Sequence, residues 1–455
     1  MRSERDSLGE MQVPDDALYG AQTMRAVLNF PVSGQRLPAP LIRALALIKE
    51  ANALYSATEP DAPDAPWAAI AAAAAAVAGG AHPDQFVVDV YQTGSGTSTN
   101  MNCNEVVARL ASLASGKAVH PNDHVNRGQS SNDVFPAALH LAFLTETRDR
   151  LLPALAEFAA ALGRKEREFA DIVKIGRTHL QDATPVTVGQ EFGGWRTQVE
   201  KGIRRIEQAM EGLCELPLGG TAVGTGLNCP PARTRAVLKQ LAGQTGFALR
   251  EADNHFEAQG ARDAAVFFSG ALRTLAVSLM KIANDIRWLG SGPRCGLGEL
   301  HLPATQPGSS IMPGKVNPVQ AEALTMVAAR VIGNDTAITV AGQAGNFELN
   351  VMMPLLAAAG LESLALLAGG VTSFRERCLE GITADRERCR ELTERSLALV
   401  TALVPVLGYD RAAALAKEAS TRGVTIRELL TAAGELSPEQ IDALLDPASM
   451  CGGNF

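Results

Sequence analysis

One short segment, residues 308–318, carries hydroxyls, a cation and an amide that could act together on a small anion. It reads Gly-Ser-Ser-Ile-Met-Pro-Gly-Lys-Val-Asn-Pro, and its glycines and prolines predict a loop. Lys315 would supply charge, Asn317 a directional hydrogen bond, and Ser309 or its neighbour Ser310 a base or nucleophile. The alternative is a polar surface turn without a chemical role, because most loops only connect elements.

A second polar segment, residues 92–105, contains nine small hydroxyl or amide side chains, Ser95 and Thr97 among them. It runs into the amphipathic pattern of residues 106–113. Exposed hydroxyls and amides at a helix N-terminus form an anion site, and the helix dipole strengthens it. Helix capping or a flexible link explains one or two such residues but not nine.

Two further polar segments lie at residues 120–133 and 176–185. The first precedes a long helical pattern, residues 134–169, which only Pro136 and Pro153 interrupt. The second contains a single histidine, His179, and a lone histidine in such a place is more often structural than catalytic. A glycine-rich segment at residues 218–228 lacks the lysine and the strand–helix alternation of a nucleotide-binding loop, so that function is excluded.

Long helices must position these segments. Many alanines and leucines, with only 5% aromatic residues, favour packed helices over a sandwich or barrel. Helical patterns are found at the ranges 41–57, 261–289 and 318–341, and a close-packed helix that starts near Trp67 is expected to include the alanine run 71–76. The predicted fold is mainly α, with an N-terminal domain at 1–130, a central long-helix domain at 131–386 and a small helical domain at 387–455. Function would then arise where helix ends converge, from different subunits of a bundle if necessary.

Composition narrows the functional classes. The 455 residues are 46% hydrophobic and 20% charged, which is typical of globular proteins. A net charge of -8 argues against nucleic acid as the partner. Seven cysteines without a CxxC pair indicate free thiols in a reducing compartment and no zinc site. With no apolar N-terminal signal and no uninterrupted membrane-length run, we expect a cytoplasmic protein without a membrane partner.

Taken in order, five segments resemble the aspartase/fumarase superfamily across nearly the whole chain. They are SGTSTNMNCNE, HPNDHVNRGQSSND, GRTHLQDATP, LGGTAVGTGLN and GSSIMPGKVNP. Within the superfamily the chain is most similar to class II fumarases, the iron-free type of fumarate hydratase. The resemblance implies a mainly helical three-domain fold, a homotetramer with active sites shared between subunits, and no metal or other cofactor. It also implies reversible trans addition of water to fumarate, a small dicarboxylate, giving L-malate in the tricarboxylic acid cycle.

The resemblance also implies roles for single residues. Ser309 would be the base on a mobile loop, and His179 paired with Glu322 would activate or protonate the water. Lys315 and Asn317 would hold the carboxylate that becomes an aci-carboxylate. The rest of the pocket would comprise Ser95, Thr97, Ser130, Ser131, Asn132 and Thr178.

The chemistry agrees with these roles. A dianionic intermediate needs a cation and preorganised donors, and the two faces of the substrate need separate acid–base groups. Serine is a poor base unless N–H groups and a cation stabilise its alkoxide. Glu322 would orient the imidazole and raise its basicity, although a favourable charge at a helix N-terminus explains Glu322 equally well.

The family's second dicarboxylate site would involve His120, Asn122 and Asp123. Here Lys117 stands where fumarases often have arginine, and lysine lacks the bidentate fork.

Two alternatives remain open at this point. Aspartate ammonia-lyase shares the fold and most of the pocket, and the pairs Tyr19-Gly20 and Ser98-Thr99 favour it. The segment Ser130-Ser131-Asn132-Asp133 favours a fumarase, since it has serine where aspartases usually have threonine, and the segments 179–185 and 320–324 are also fumarase-like. A non-catalytic relative such as a lens crystallin is disfavoured by the intact set of Ser309, Lys315, His179 and Glu322.

Overall fold

The computed structural model describes residues 1–452 and is mainly helical, as predicted. Seventeen α-helices are found in this range, in chain order: α1 Ala21–Asn29, α2 Ala39–Ser56, α3 Trp67–Ala78, α4 Thr97–Ser115, α5 Ser131–Glu146, α6 Leu152–Glu168, α7 Val188–Leu213, α8 Pro231–Thr245, α9 His255–Gly260, α10 Asp263–Leu289, α11 Val319–Gly342, α12 Met353–Arg377, α13 Arg386–Arg395, α14 Val404–Leu407, α15 Tyr409–Arg422, α16 Ile426–Ala433 and α17 Pro438–Leu444.

The strands are short and pair two by two, antiparallel except for β5 with β6. They pair as β1 with β2, β3 with β4, β5 with β6, β7 with β10, and β8 with β9. Their bounds are β1 Arg2–Asp6, β2 Gly9–Val13, β3 Val173–Thr178, β4 Gln181–Thr187, β5 Glu215–Leu216, β6 Arg250–Glu251, β7 Leu300–His301, β8 Gly345–Asn346, β9 Leu349–Asn350 and β10 Thr383–Ala384.

The chain forms two compact units, each made of three segments. The first unit comprises Met1–Pro153, Gly202–Ala276 and Ala328–Ala368, and the second comprises Ala154–Lys201, Val277–Val327 and the chain from Gly369 onward. Every boundary between these segments falls within a helix. The division into domains at 1–130, 131–386 and 387–455 stays a prediction, and positions 453–455 of the last lie outside the described residues.

In the first unit, α2 supplies fully buried Leu41, Leu45 and Ile48. Phe143 of α5 stacks on Phe268 of α10 with ring centroids 5.6 Å apart. Gly96 precedes α4 in a left-handed conformation, φ 73°, and a Cβ there would lie 2.1 Å from the ring of Phe135. Only glycine therefore permits this approach of the α4 N-terminus to α5.

The second unit has its own aromatic core. Phe158 of α6 contacts Phe374 of α12, with ring centroids 6.0 Å apart. Phe192 and Trp195 of α7 pack together with a centroid distance of 4.7 Å. The helices after α13 bury a separate cluster that includes Leu399, Leu415 and Leu430, in agreement with the short C-terminal helices expected from sequence.

Two helical predictions need correction. The pattern at residues 134–169 is helical from Ser131 to Glu168, but its irregularity is a π-helical turn at Thr147–Leu151 between α5 and α6 and not a break at either proline. Pro136 and Pro153 both lie within helices. Helix α4 begins at Thr97 and not near residue 106, and most of the polar side chains in its first two turns are buried, where sequence predicted exposure. The reason is that these amides and hydroxyls bond one another and neighbouring segments.

Two segments, Asp263–Leu289 and Met353–Gly381, have the length and composition of membrane spans, which the search for uninterrupted apolar runs did not find. The most apolar window is 50% buried within the chain in the first segment and 56% buried in the second. Interior helices of water-soluble proteins have the same properties. The absence of a membrane partner stays a prediction.

Candidate active site

The loop at residues 308–318 lies in the second unit and is held by its own backbone. Gly308 N donates to Lys315 O at 2.8 Å, and Asn317 Nδ2 donates to Gly308 O at 2.6 Å. Ser309 Oγ accepts hydrogen bonds from the backbone N–H groups of Ile311, at 3.2 Å, and Met312, at 2.9 Å. Two N–H dipoles therefore point at the Ser309 oxygen, while the Lys315 side chain is exposed to solvent.

His179 occupies the tip of a hairpin between β3 and β4, a feature that the sequence analysis did not predict. His179 and Leu180 have φ values of 57° and 61°, as the two central residues of a primed turn require. Both side chains are exposed, and so is Thr178 beside them. A left-handed backbone is uncommon for residues other than glycine, although histidine is among the residues that adopt it more often, and in this turn it accompanies an outward-facing His179.

The base of this hairpin is fixed by buried charges. Arg177 forms a bidentate pair with fully buried Glu299, at 2.8 and 3.0 Å. Lys174 Nζ lies 2.9 Å from Glu191, and burial raises the pKa of the Glu191 carboxyl. Separating the partners of such a network would leave a buried charge without a counter-charge, which is costly. The intact network therefore holds the base of the hairpin in one position.

Glu322 lies in the first turn of α11, directly after the 308–318 loop. Between residues 1 and 452, no hydrogen bond joins its carboxylate to His179. The predicted pairing of His179 with Glu322 stays a prediction. The first-turn position also suits a carboxylate electrostatically, as the sequence analysis noted.

The remaining pocket residues lie in the first unit, around the N-termini of α4 and α5. Ser130 caps α5, and its N–H is bound by Asp133 at 2.9 Å in a capping box. Ser131 Oγ accepts a hydrogen bond from Asn100 Nδ2 at 2.9 Å. Ser95 and Thr97 join their hydroxyls at 2.8 Å.

A broad cleft of about 1420 Å³ opens at these helix ends. Thr97, Ser130 and Ser131 line it, which brings three predicted pocket residues together in one unit. Asn132 is adjacent and donates to the carbonyl of Ala222 at 2.8 Å. The cleft therefore presents hydroxyls at two helix N-termini, an arrangement that suits an anion.

Sequence reasoning missed the other wall of this cleft. Residues 221, 222 and 226–228 of the glycine-rich segment line it. Asp133 holds the segment in place by accepting hydrogen bonds from the backbone of Gly219, at 3.0 Å, and Thr221, at 3.1 Å. Burial raises the pKa of Asp133 despite these bonds. The glycine-rich pattern was the available signal: it excluded a nucleotide-binding loop and contributed to the family resemblance, but no site residue was predicted within it.

A buried lysine, Lys49 of α2, was also missed because it lies within an apolar run. Its Nζ donates to Asn126 Oδ1 and Gln129 Oε1, both at 2.8 Å, and Gln129 lines the cleft. The side chain is fully buried, and burial lowers its pKa to about 8.

The segment predicted as a second dicarboxylate site forms a π-helical turn at Pro121–Val125. His120 Nδ1 accepts from the backbone N–H groups of Asn122 and Asp123, at 3.3 and 3.1 Å. Asn122 and Asp123 line the same cleft as Ser130, while Lys117 lies 3.5 Å from Asp64. Whether this segment binds a second dicarboxylate stays a prediction.

Comparison with known proteins identifies the family. A family model described as lyase matches residues 9–333, and one described as fumarase C C-terminus matches residues 399–452. The fumarate hydratase class II of Chromobacterium violaceum is 52% identical over 99% of both chains, and that of Ralstonia nicotianae is 51% identical over 99% of both. The chain belongs to the class II fumarase family. The resemblance to this family that the sequence motifs indicated is thereby confirmed.

Solved structures agree. A recombinant class II fumarase from Schistosoma mansoni is 40% identical, with a TM-score of 0.95 over 99% of both chains. A fumarate lyase:delta crystallin from Brucella melitensis is 45% identical, with a TM-score of 0.95 over 99% of this chain and all of the other. The mainly α fumarase fold and the assignment to the lyases are confirmed. Among residues 1–452, no three His, Cys, Asp or Glu side chains are grouped to hold a metal ion.

Proposed function

We propose that this class II fumarase adds water reversibly across the double bond of fumarate, in trans, to give L-malate. Relatives about 50% identical over their whole length are named fumarate hydratase class II. The observation that supports the proposal most directly is the hydrogen bonding of Ser309. Its side-chain oxygen accepts two backbone N–H hydrogen bonds, in a loop that also contains the exposed Lys315.

In the direction of dehydration, Ser309 would take the proton from the carbon beside a carboxylate. The N–H groups of Ile311 and Met312 lower the cost of negative charge on the serine oxygen, because they already point at it. Lys315 and Asn317 would bind the adjacent carboxylate and stabilise the second negative charge that develops there. Thr97, Ser130 and Ser131 would donate hydrogen bonds to the substrate's carboxylates.

His179 would handle the water on the other carbon, with Glu322 as its partner. In the single chain His179 is exposed at a hairpin tip, and its side chain makes no hydrogen bond to the described residues. Supply of the missing partners by other subunits explains this exposure. The proposal therefore includes a homotetramer with shared active sites, working in the cytoplasm on the tricarboxylic acid cycle reaction without a metal.

A test is to incubate the purified protein with fumarate, with and without ammonium, and to identify the product by NMR. We expect L-malate in both cases, at the same rate after extensive treatment with a chelator. The side chains proposed for the site would supply the hydrogen bonds and protons, and this chemistry then needs no Lewis acid. L-Aspartate formed only when ammonium is present would favour the ammonia-lyase. Loss of malate formation on chelation, restored by a divalent ion, would overturn the metal-free mechanism.

A further inference from the structure

Lys49 differs from the other buried lysines of the described chain in its lack of a carboxylate partner. Lys165 Nζ lies 2.9 Å from Glu168, and Lys174 Nζ lies 2.9 Å from Glu191. Lys49 Nζ makes its hydrogen bonds to two neutral amides, and no salt bridge within residues 1–452 involves it. A buried ammonium without a counter-ion is costly, so a stable fold that keeps one has a reason beyond packing.

Lys49 fixes the orientation of polar groups that reach the cleft. An ammonium offers only hydrogens, so the oxygens of Asn126 and Gln129 must face it. The Gln129 amide is thereby turned with its NH₂ group away from Lys49, and no described residue accepts a hydrogen bond from that group. Because Gln129 lines the cleft, its N–H groups are available to a ligand.

A chain of hydrogen bonds also connects Lys49, through Asn126, to the predicted pocket residue Ser131. Asn126 Oδ1 accepts from Lys49 at 2.8 Å and also from Asn100 Nδ2 at 3.3 Å. Asn100 Nδ2 donates in turn to Ser131 Oγ at 2.9 Å. With its oxygen occupied as an acceptor, the Ser131 hydroxyl is left to donate its own proton towards the cleft.

We propose that Lys49 is a positioning residue whose buried charge is balanced by the bound dicarboxylate, and which turns Gln129 and Ser131 into donors towards it. The inference rests on the proposed function for the identity of the ligand. Lys49 does not touch the substrate; it acts through Asn126, Gln129 and Asn100. The apo protein thus stores a positive charge behind the cleft that a dianion neutralises.

Few groups close to Lys49 can balance its positive charge in place of the bound dicarboxylate. Cys103 of α4 and Asp133 of α5 are the groups that interact electrostatically with Lys49. Burial raises the pKa of Cys103 to about 11, so its thiol is neutral near pH 7. Three backbone N–H groups already bind Asp133. The helix α3 carries no titratable residue, and the remaining charged or titratable groups on elements packed against α2 are Glu105, Arg109, Asp123, His124, His140, Glu146, Arg233, Arg235 and Lys239.

The test compares Lys49→Met with a matched control, Lys165→Met, which removes a buried lysine that has its own carboxylate. For Lys49→Met we expect KM for fumarate and the dissociation constant of succinate to rise at least tenfold, with a smaller change in kcat. Binding of butyrate, which carries one charge, should change less than binding of succinate. Lys165→Met should leave both succinate affinity and KM within about twofold of the wild type.

A pH series supplies a readout that a purely structural role would not move. Protonated Lys49 binds the dianion better, so succinate raises the pKa of Lys49, and binding above pH 8 takes up a proton. Wild-type affinity for succinate should therefore be steady below about pH 7 and fall as pH rises through 8. Lys49→Met should lose this dependence. The melting temperature of the variant should fall little, because removal of an unpaired buried charge offsets the loss of the hydrogen bonds to Asn126 and Gln129.

The outcomes separate the two proposals. Succinate affinity and its pH profile unchanged in a folded Lys49→Met variant would overturn the role of Lys49. If Lys49→Met does not fold, the proton uptake of the wild type on succinate binding at pH 8 to 9, measured by calorimetry in buffers of different ionisation enthalpy, decides alone. A wild type that binds succinate with this proton uptake but does not hydrate fumarate would overturn the proposed function and leave the Lys49 inference standing.

Discussion

Ser309 and His179, for which we propose catalytic roles, are both positioned by the conformation of their own backbone. The tight turn after Ser309 directs the N–H groups of Ile311 and Met312 at its oxygen, which a serine needs if it is to act as a base. His179 has a left-handed backbone with φ 57°, which presents its ring at the tip of a hairpin. In both cases the local backbone, and not a neighbouring side chain, sets the position of the side chain.

At this scale we predict that Ser309→Ala separates binding from turnover. Turnover should fall by on the order of 10²–10⁴-fold, because the base is lost. The affinity for succinate should stay within about threefold, because Lys315 and Asn317 still bind the anion. Lys315→Ala should instead weaken both, since its charge serves substrate and intermediate alike. Steady-state kinetics and calorimetric titration of each variant provide the measurements.

Ser310→Ala is the matched control for this series, because it removes an exposed hydroxyl next to Ser309 and should change little. His179→Asn should lower turnover less than Ser309→Ala, since water partly replaces an acid–base group. Asparagine is also the suitable replacement, because it tolerates the left-handed conformation of the turn. Near-normal turnover of Ser309→Ala would mean that the loop is only a lid.

Among the elements, long apolar-periodic helices were predictable and polar ones were not. The pattern at 41–57 matches α2 within two residues at each end, because the spacing of apolar residues along the sequence indicates a helix that is amphipathic or buried. The first turns of α4 contain almost no apolar residues, yet they are helical and buried. Hydrogen bonds such as those of Asn100 to Ser131 and Asn102 to Gln85 O replace apolar packing there, and no periodicity reveals them.

The sequence motifs predict a set of site residues but not where these residues lie in the fold. They single out Ser131, His179 and Ser309, whereas the geometry around each of them depends on long-range contacts. Lys49 lies more than seventy residues before its partners Asn126 and Gln129 and looks like one charge in an apolar run. Nothing local in the sequence indicates that it is buried or which amides it holds.

Glu105 of α4 supplies a prediction at the scale of elements. Its carboxylate accepts hydrogen bonds from the backbone N–H groups of Gly20, Gln22 and Thr23, at 2.9, 3.0 and 3.1 Å. It therefore satisfies the N-terminus of α1 from another helix. We expect Glu105→Ala to lower the free energy of unfolding by about 2–4 kcal/mol, because buried N–H groups lose their partner.

Urea unfolding at neutral pH measures this effect, with Glu105→Gln as the control that keeps one acceptor oxygen. The expected order of stability is wild type, then Glu105→Gln, then Glu105→Ala. Equal stability of all three proteins would mean that water replaces the carboxylate at the start of α1.

For the whole molecule, exposed apolar side chains on the long helices support the proposed tetramer. Phe267, Val277 and Trp288 of α10 are 65%, 55% and 54% exposed in the single chain. Met326 of α11 is 67% exposed. Large apolar side chains repeated along one helix are usually covered by a partner, and identical chains can cover one another in closed symmetry.

The sharing of active sites between chains can be tested by mixing two inactive variants. Thr97→Asp places a negative charge in the cleft of the first unit, where it repels a dicarboxylate; aspartate suits the first turn of α4 and can accept the Ser95 hydrogen bond. Ser309→Ala removes the base in the second unit. If one site takes these positions from different chains, hybrid oligomers contain sites that carry neither defect.

With equal amounts of the two variants, co-refolded or co-expressed, roughly a quarter of the sites should be intact, and activity should recover to about that fraction of wild type. Mixing Ser309→Ala with Lys315→Ala is the control, because both defects lie in one loop and every site retains one of them. Differently tagged chains verify that hybrids form. If hybrids form but the first pair recovers no more activity than the control pair, each site draws both positions from a single chain. In that case the exposed apolar side chains of α10 do not serve to bring positions 97 and 309 of different chains together.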